Sequence, residues 1–200
     1  MPTSRDTVSF PILPIDAVLF PGMPLTLELS EQTYQLLRRC ADFDLPLAIS
    51  PARSTDVDSW PEPSAVATSA RVMEIGPSTD GHALLMGVAR LNLLSYRNNG
   101  RHLVGQFRYL TDSDDTVPTP LIDEARALGS ELWALMTPHT THPVLPFVAQ
   151  SLSYWIAAHI PLSQTVRQEL LEIRSTRSRM AKEIALMRSL LDELQAEQSG

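Results

Sequence analysis

The hydrophobic period of the sequence changes once, across segment 112–120, and this change restricts the folds open to the chain. Before this segment, apolar residues alternate or form short runs, as in β-strands, whereas after it they recur every three to four residues, as in helices. The segment itself combines three aspartates with two prolines, a composition that interrupts regular structure. The sequence therefore predicts a β-rich part over residues 1–115 and a helical part over residues 116–200.

The first part contains short apolar runs separated by turn residues. Pro21-Gly22 and Asp80-Gly81 predict two of the turns, and Ser30 is placed to cap one helix of about ten residues. Six or seven strands with one helix predict a small, mostly antiparallel barrel or sandwich. The strand-like runs are 8–13, 24–29, 45–49, 66–75, 83–89, 91–96 and 103–110.

The second part predicts four amphipathic helices. The first spans 122–136, the second carries Phe147 on its apolar face and ends near His159, and Ser163 caps the third. Trp133 and Trp155 fall on apolar faces, where they are expected in the core. The last helix carries five apolar residues at heptad spacing, which are Met180, Ile184, Met187, Leu191 and Leu194. This seam either packs within its own bundle or forms a homodimer or partner surface.

The composition excludes several classes of protein. The 200 residues carry 16 basic and 23 acidic side chains, a formal charge of −7, which argues against sequence-independent binding of nucleic acid. No apolar segment approaches the roughly 18 residues that span a bilayer, and the N-terminus lacks the features of a signal peptide. The single cysteine, Cys40, lies in an apolar helical run and is expected to be buried. We therefore expect a cytoplasmic protein.

The sequence offers no convincing catalytic or metal site. His139 and His142 are bracketed by prolines and lack further ligands, and no cofactor or metal is expected. The acidic cluster Asp112, Asp114 and Asp115 lacks the spacing and glycine of a calcium loop, so we expect a solvated linker. His159, at a helix end, is expected to meet free backbone carbonyls there.

Three segments resemble one known family, in the right order along residues 8–195. Residues 12–23, with Leu13-Pro14 and Phe20-Pro21-Gly22, are similar to the opening of the Lon N-terminal, or substrate-binding, domain. Residues 87–91 resemble its Gly-x-x-Arg segment, and 156–162 resemble its helical part. The resemblance implies an α+β fold, a PUA-like antiparallel pseudo-barrel followed by a C-terminal helical bundle. The chain departs from the family at Ser30, Thr33 and Ala67, where Phe, Arg and Gly are common.

The resemblance also implies a non-catalytic, stand-alone member of the family. The sequence has no Gly-x-x-x-x-Gly-Lys-Ser/Thr loop for nucleotide phosphates. A Ser-Lys dyad would need Lys182, the one lysine, which is expected on a helix surface. We therefore expect a module without ATPase and peptidase domains that binds unfolded or exposed polypeptide segments, with a separate Lon-type protease as a candidate partner.

Four apolar residues are predicted to contact such a polypeptide: Leu25, Leu27, Trp60 and Met86. Two other functions stay open at this point. One is an adaptor that binds a folded protein through the last helix. The other is RNA binding through the barrel, which the charge of −7 disfavours.

Overall fold

The computed structural model describes residues 7–53, 61–77, 81–113, 116–137 and 143–199. The chain divides into two compact units, Met1–Thr111 and Asp112–Gly200, and the predicted boundary after residue 115 lies a few residues beyond this division. In the described ranges the first unit holds seven strands and one helix and the second holds four helices. The α+β class is confirmed.

The strands of the first unit form a closed sheet. Neighbours follow the order β1-β7-β6-β5-β3, and β1 also pairs in parallel with β3, which completes the circle. The remaining pairings are antiparallel, with β4 beside β3 and β2 beside β6. The elements are β1 (Thr7–Ile15), β2 (Pro24–Glu28), α1 (Glu31–Asp42), β3 (Leu47–Arg53), β4 (Glu62–Pro63), β5 (Val66–Ile75), β6 (His82–Asn98) and β7 (Leu103–Tyr109).

The 17-residue strand β6 organises the sheet. Along one edge, the first residues of β6 pair with β2 and the last residues pair with β7. Strand β5 pairs with the other edge of β6. Just before β2 begins, the predicted Pro21-Gly22 turn is confirmed: Met23 N donates to Phe20 O at 3.1 Å, and Gly22 has φ +77°. A Cβ on Gly87 would lie 2.3 Å from Phe20 O, so this close approach of two backbones requires glycine.

Two apolar clusters take alternate residues of the same strands. Ile12 of β1 and Ala48 of β3 join the first cluster, whereas their neighbours Leu13 and Ile49 join the second. The second cluster, here called the helix cluster, also contains two residues of α1 and consists of Leu13, Leu19, Leu37, Cys40, Leu47, Ile49, Ala70, Ala83 and Leu85. Cys40 is buried as expected, and burial raises the pKa of its thiol.

The second unit contains four helices near the predicted positions: α2 (Thr119–Met136), α3 (Ala149–His159), α4 (Gln164–Glu172) and α5 (Thr176–Ser199). Ser163 caps α4 by accepting from Val166 N at 3.3 Å, and His159 Nδ1 lies 2.7 Å from Trp155 O at the end of α3. Both predictions are confirmed. The placement of Phe147 on a helix is wrong: α3 begins at Ala149 after an extended cap residue, and Phe147 is 88% exposed.

A buried polar network ties the second unit together around Arg179, which has no exposed surface. Its guanidinium donates to Ser153 Oγ at 2.8 Å, to Ile173 O at 2.8 Å and to Asp112 Oδ2 at 3.0 Å. Asp112 also accepts from the hydroxyl of Thr176 at 2.7 Å. The expected solvated linker is therefore wrong for Asp112, because its carboxylate is the counter-ion of a buried arginine. Asp114 and Asp115 lie outside the described residues.

Glu183 lies beside this network and is also fully buried. Ser153 Oγ donates to Glu183 Oε1 at 2.9 Å. Burial raises the pKa of Glu183 well above its ordinary value, and this effect exceeds the opposing effects of the Ser153 hydrogen bond and the Arg179 charge. The folded chain therefore holds the proton of Glu183 more tightly than water-exposed glutamate does.

Replacing Arg179 with methionine is expected to lower the free energy of unfolding by about 3–5 kcal/mol, because it leaves the Asp112 carboxylate without its counter-ion. Urea denaturation measures the loss. Arg188→Met is the matched control, because Arg188 is 63% exposed and its ion pair with Glu124 is a surface pair, expected to contribute about 1 kcal/mol or less. Equal losses in the two variants would contradict the role given to Arg179.

Glu183→Gln is expected to flatten the dependence of stability on pH. The folded state holds the Glu183 proton more tightly than the unfolded chain does, so the parent loses stability as pH rises from about 4.3 toward the raised pKa. Glutamine cannot ionise, so the difference in unfolding free energy, variant minus parent, should grow with pH over that interval. Urea denaturation at a series of pH values tests this, and a constant difference would rule it out.

Candidate functional site

A groove in the first unit lies where α1, β1 and the β6–β7 turn meet. Its volume is about 500 Å³. One side consists of α1 residues, another of β1 residues, and the rest comes from the turn and the first residue of β7. The lining residues are Ile12, Leu13, Pro14, Gln32, Thr33, Gln35, Leu36, Arg39, Arg101, His102 and Leu103. We call this site the α1 groove.

Helix α1 presents one face to the groove and another to the core. Leu37 and Cys40 are buried in the helix cluster, which fixes the rotation of the helix about its axis. Residues 32, 35, 36 and 39 follow the i, i+3, i+4, i+7 spacing of one helical face and line the groove. The helix begins where it does because Ser30 Oγ accepts from Thr33 N at 3.2 Å.

The β6–β7 turn supplies the second set of polar groups. Gly100 has φ +86°, and the side-chain oxygen of Asn99 accepts from the backbone amides of Arg101 and His102, both at 3.0 Å. Gln32 Nε2 of α1 donates to Arg101 O at 2.8 Å. This hydrogen bond joins the turn to the helix, so the two sides of the groove hold each other in place.

The α1 groove is positively charged. Arg39 and Arg101 are exposed and form no ion pair within the described ranges. Burial lowers the pKa of His102, and the charges of the two arginines lower it further, so its imidazole is neutral at pH 7. The side-chain amide nitrogen of Asn99 lies 3.2 Å from His102 Nε2, consistent with a neutral ring that accepts at this nitrogen. The site thus combines apolar walls, amide groups and two cations.

Comparison with known proteins identifies the family. The model of the ATP-dependent protease La (LON) substrate-binding domain matches residues 9–189. The chain belongs to the LON substrate-binding domain family. The Lon protease of Escherichia coli K12 is 27% identical over 217 residues, which cover 98% of this chain and 26% of that protein. The Lon protease of Erwinia amylovora is 25% identical with the same coverage. The chain spans about a quarter of the length of these curated relatives.

Solved structures show the same fold. The Lon N-terminal domain protein from Xanthomonas campestris superposes with a TM-score of 0.67 at 22% identity, over 89% of this chain and 98% of that one. The N-terminal domain of a Mycobacterium avium complex Lon protease gives 0.66 at 16% identity, over 90% and 98%. The architecture implied by the sequence resemblance is therefore that of LON N-terminal domains.

The predicted peptide contacts of this LON domain do not form one surface. Leu25 and Leu27 pair across the sheet with Leu85 and Ala83 and pack, half-buried, against the helix cluster. Met86 pairs with Pro24 and points to the opposite sheet face, where it is half-buried. Trp60 lies outside the described residues. None of the three described residues lines the α1 groove, and the role of all four in binding stays a prediction.

The predicted partner seam of α5 is largely covered by its own unit. Met180, Ile184, Met187 and Leu191 are at most 5% exposed, and only Leu194 of the five is half-exposed. Gly129 of α2 lies close to Met187, in keeping with the packing of α5 on its own bundle. A partner helix would have to displace these contacts, and the seam stays an untested prediction.

The described ranges meet neither the requirements of a metal site nor those of a membrane-spanning helix. No group of three or more His, Cys, Asp and Glu side chains there is arranged to hold a metal ion. His139 and His142 fall outside those ranges. Within the same part of the chain, no helix combines the length and hydrophobicity needed to cross a bilayer.

Sequence reasoning missed the α1 groove. Its two arginines are separated by 62 positions, 39 to 101, and belong to a helix and to a turn. The usable local clues were the spacing 32-35-36-39 on the face of α1 next to the one that carries Leu37 and Cys40, and the Asn98-Asn99-Gly100 turn that precedes Arg101. Neither clue shows that the turn folds against the helix.

Arg39→Gln is expected to raise the pKa of His102, because it removes one of the two positive charges that oppose protonation of the imidazole. NMR titration of the imidazole proton resonances measures the shift. Arg38→Gln is the matched control, since Arg38 is the preceding residue but pairs with Asp42 at 3.2 Å. An unchanged His102 pKa in Arg39→Gln would show that Arg39 does not face the groove as described.

Proposed function

We propose that this LON domain binds exposed, unfolded segments of other polypeptides in the α1 groove. The observation that supports the proposal is the groove itself: an open site of about 500 Å³ with apolar walls and convergent polar side chains, in a chain of the substrate-binding family. Mixed linings of this kind accept extended chains, because apolar contacts give affinity and amide groups satisfy the polar backbone of the ligand.

The site is suited to binding and not to chemistry. A hydrolase needs a nucleophile next to a base, and the lining residues contain one titratable base, His102, with Thr33 as the one hydroxyl. No carboxylate that could orient His102 lines the groove. We therefore propose a non-catalytic module in the cytoplasm that selects protein substrates for a Lon-type ATP-dependent protease, as part of protein quality control.

The adaptor and RNA hypotheses have less support. The adaptor needs an exposed seam on α5, whose residues are mostly buried. RNA binding needs stacking aromatics beside the cations, and among the residues that the structure describes no Phe, Tyr or Trp lines the α1 groove.

Gln35→Trp is expected to weaken binding of an unfolded polypeptide, because Gln35 is exposed in the groove and an indole would fill part of it. We expect a loss of about tenfold in affinity, equal to about 1.4 kcal/mol. The measurement is fluorescence anisotropy of a labelled, permanently unfolded polypeptide titrated with the purified chain. The folded form of the same polypeptide should not bind.

Two further variants make this test specific. Arg38→Trp adds the same indole to the same helix outside the groove and should bind like the parent. Met86→Asp alters the sheet face on which the sequence placed a contact. If Met86→Asp abolishes binding while Gln35→Trp does not, the binding surface is the outer face of the sheet and the α1 groove is the wrong site. Absence of saturable binding by the parent would contradict the proposed function.

A further inference from the structure

We propose that the α1 groove selects polypeptide segments in which an acidic side chain is flanked by apolar residues, with Arg39 and Arg101 holding the carboxylate. The inference rests on the proposed function and deepens it by naming the class of segment.

The first argument is an uncompensated local charge. The chain carries a net charge of −7, yet no acidic residue of the described ranges lines the groove. Arg38, next to Arg39 in the sequence, pairs with Asp42, whereas Arg39 and Arg101 form no ion pair in the described part of the chain. The Glu31 carboxylate, outside the lining, accepts a hydrogen bond from Gln35.

The second argument is that the two cations converge. Arg39 comes from α1 and Arg101 from the turn, and both line the same groove, where their charges lower the pKa of His102. The Gln32 hydrogen bond to Arg101 O fixes the turn against the helix, so the two side chains start from a held backbone. A carboxylate between two guanidinium groups accepts charge-assisted hydrogen bonds from both, and each planar fork matches the two oxygens.

The third argument concerns other ways of binding an extended chain here. At Ile12 the backbone of β1 is paired with both Leu103 of β7 and Ala48 of β3, whereas Leu13 and Pro14 pair with β3 alone. Because Pro14 has no N–H to donate to an added strand, this short stretch offers little backbone for a ligand, and side chains must supply most of the recognition. Capture of a chain terminus typically uses a nest of backbone amides, whereas the cations of this groove are side chains.

The apolar flanks follow from the rest of the lining. Pro14 and Leu36 line the groove and are half-buried, so apolar surface remains accessible in the same site as the polar groups. A ligand with apolar residues next to its acidic side chain would cover this surface and reduce the exposure of the ion pairs to solvent, which strengthens them.

The test uses three short fluorescent peptides of otherwise identical, apolar-rich sequence. One carries a single glutamate and blocked termini. The second has glutamine instead, also with blocked termini. The third has the glutamine and a free C-terminal carboxylate. Anisotropy titrations compare the parent, an Arg39→Gln/Arg101→Gln double variant and the control Arg38→Gln, with the unfolded polypeptide measured in parallel. All three positions are exposed, and thermal denaturation verifies that the variants are folded.

The parent is expected to bind the glutamate peptide about tenfold more tightly than the blocked glutamine peptide, as two largely exposed ion pairs would provide. Arg38→Gln should keep this preference and the double variant should lose it. The preference should also decline as salt is added.

Three outcomes would overturn the inference. If the parent binds both blocked peptides equally, or the double variant keeps the preference, the arginines do not select a carboxylate; binding of the unfolded polypeptide would then leave the proposed function intact. If the free C-terminal carboxylate restores full affinity to the glutamine peptide, the groove binds chain termini. If neither the peptides nor the unfolded polypeptide bind, the inference and the proposed function both fail.

Discussion

Strand β1 pairs with β7 over residues 7–12 and with β3 over residues 12–15, and the architecture of the first unit depends on this double pairing. Antiparallel contact with β7 and parallel contact with β3 close the sheet into a barrel. The pleat of β1 then sends Ile12 to one apolar cluster and Leu13 to the other. Without the parallel pairing, the barrel would open and α1 would lose part of the surface on which it packs.

The α1 groove is a consequence of this closure. Because the backbone of β1 at Ile12 is paired with both neighbouring strands, this part of β1 offers few free backbone groups to a ligand. The recognition groups come instead from a helix and a turn, both outside the closed sheet. This arrangement separates stability from specificity: residues such as Leu37 are fixed by the core, while Gln35 and Arg39 on the same helix can change without disturbing it.

Local features of the structure could be predicted from the sequence. The Pro21-Gly22 turn, the Ser30 and Ser163 caps and the four helices each depend on residues a few positions apart. Features that depend on contacts between residues far apart in the chain could not be predicted. The pairing of β1 with β3, the approach of Arg101 to α1 and the burial of Arg179 against Asp112 all join residues far apart in the chain. The sequence does not show that Asp112 is paired, because its partner Arg179 lies 67 positions away.

The buried position of Cys40 has a practical consequence for anyone handling this protein. It is the one thiol among 200 residues, it is 2% exposed, and burial holds it in the protonated form. The thiolate is the species that reacts with oxidants, maleimides and disulfides. We therefore expect Cys40 of the folded chain to react slowly with thiol reagents, so that a cysteine introduced on the surface would be the preferred point of attachment for a probe or a cross-linker.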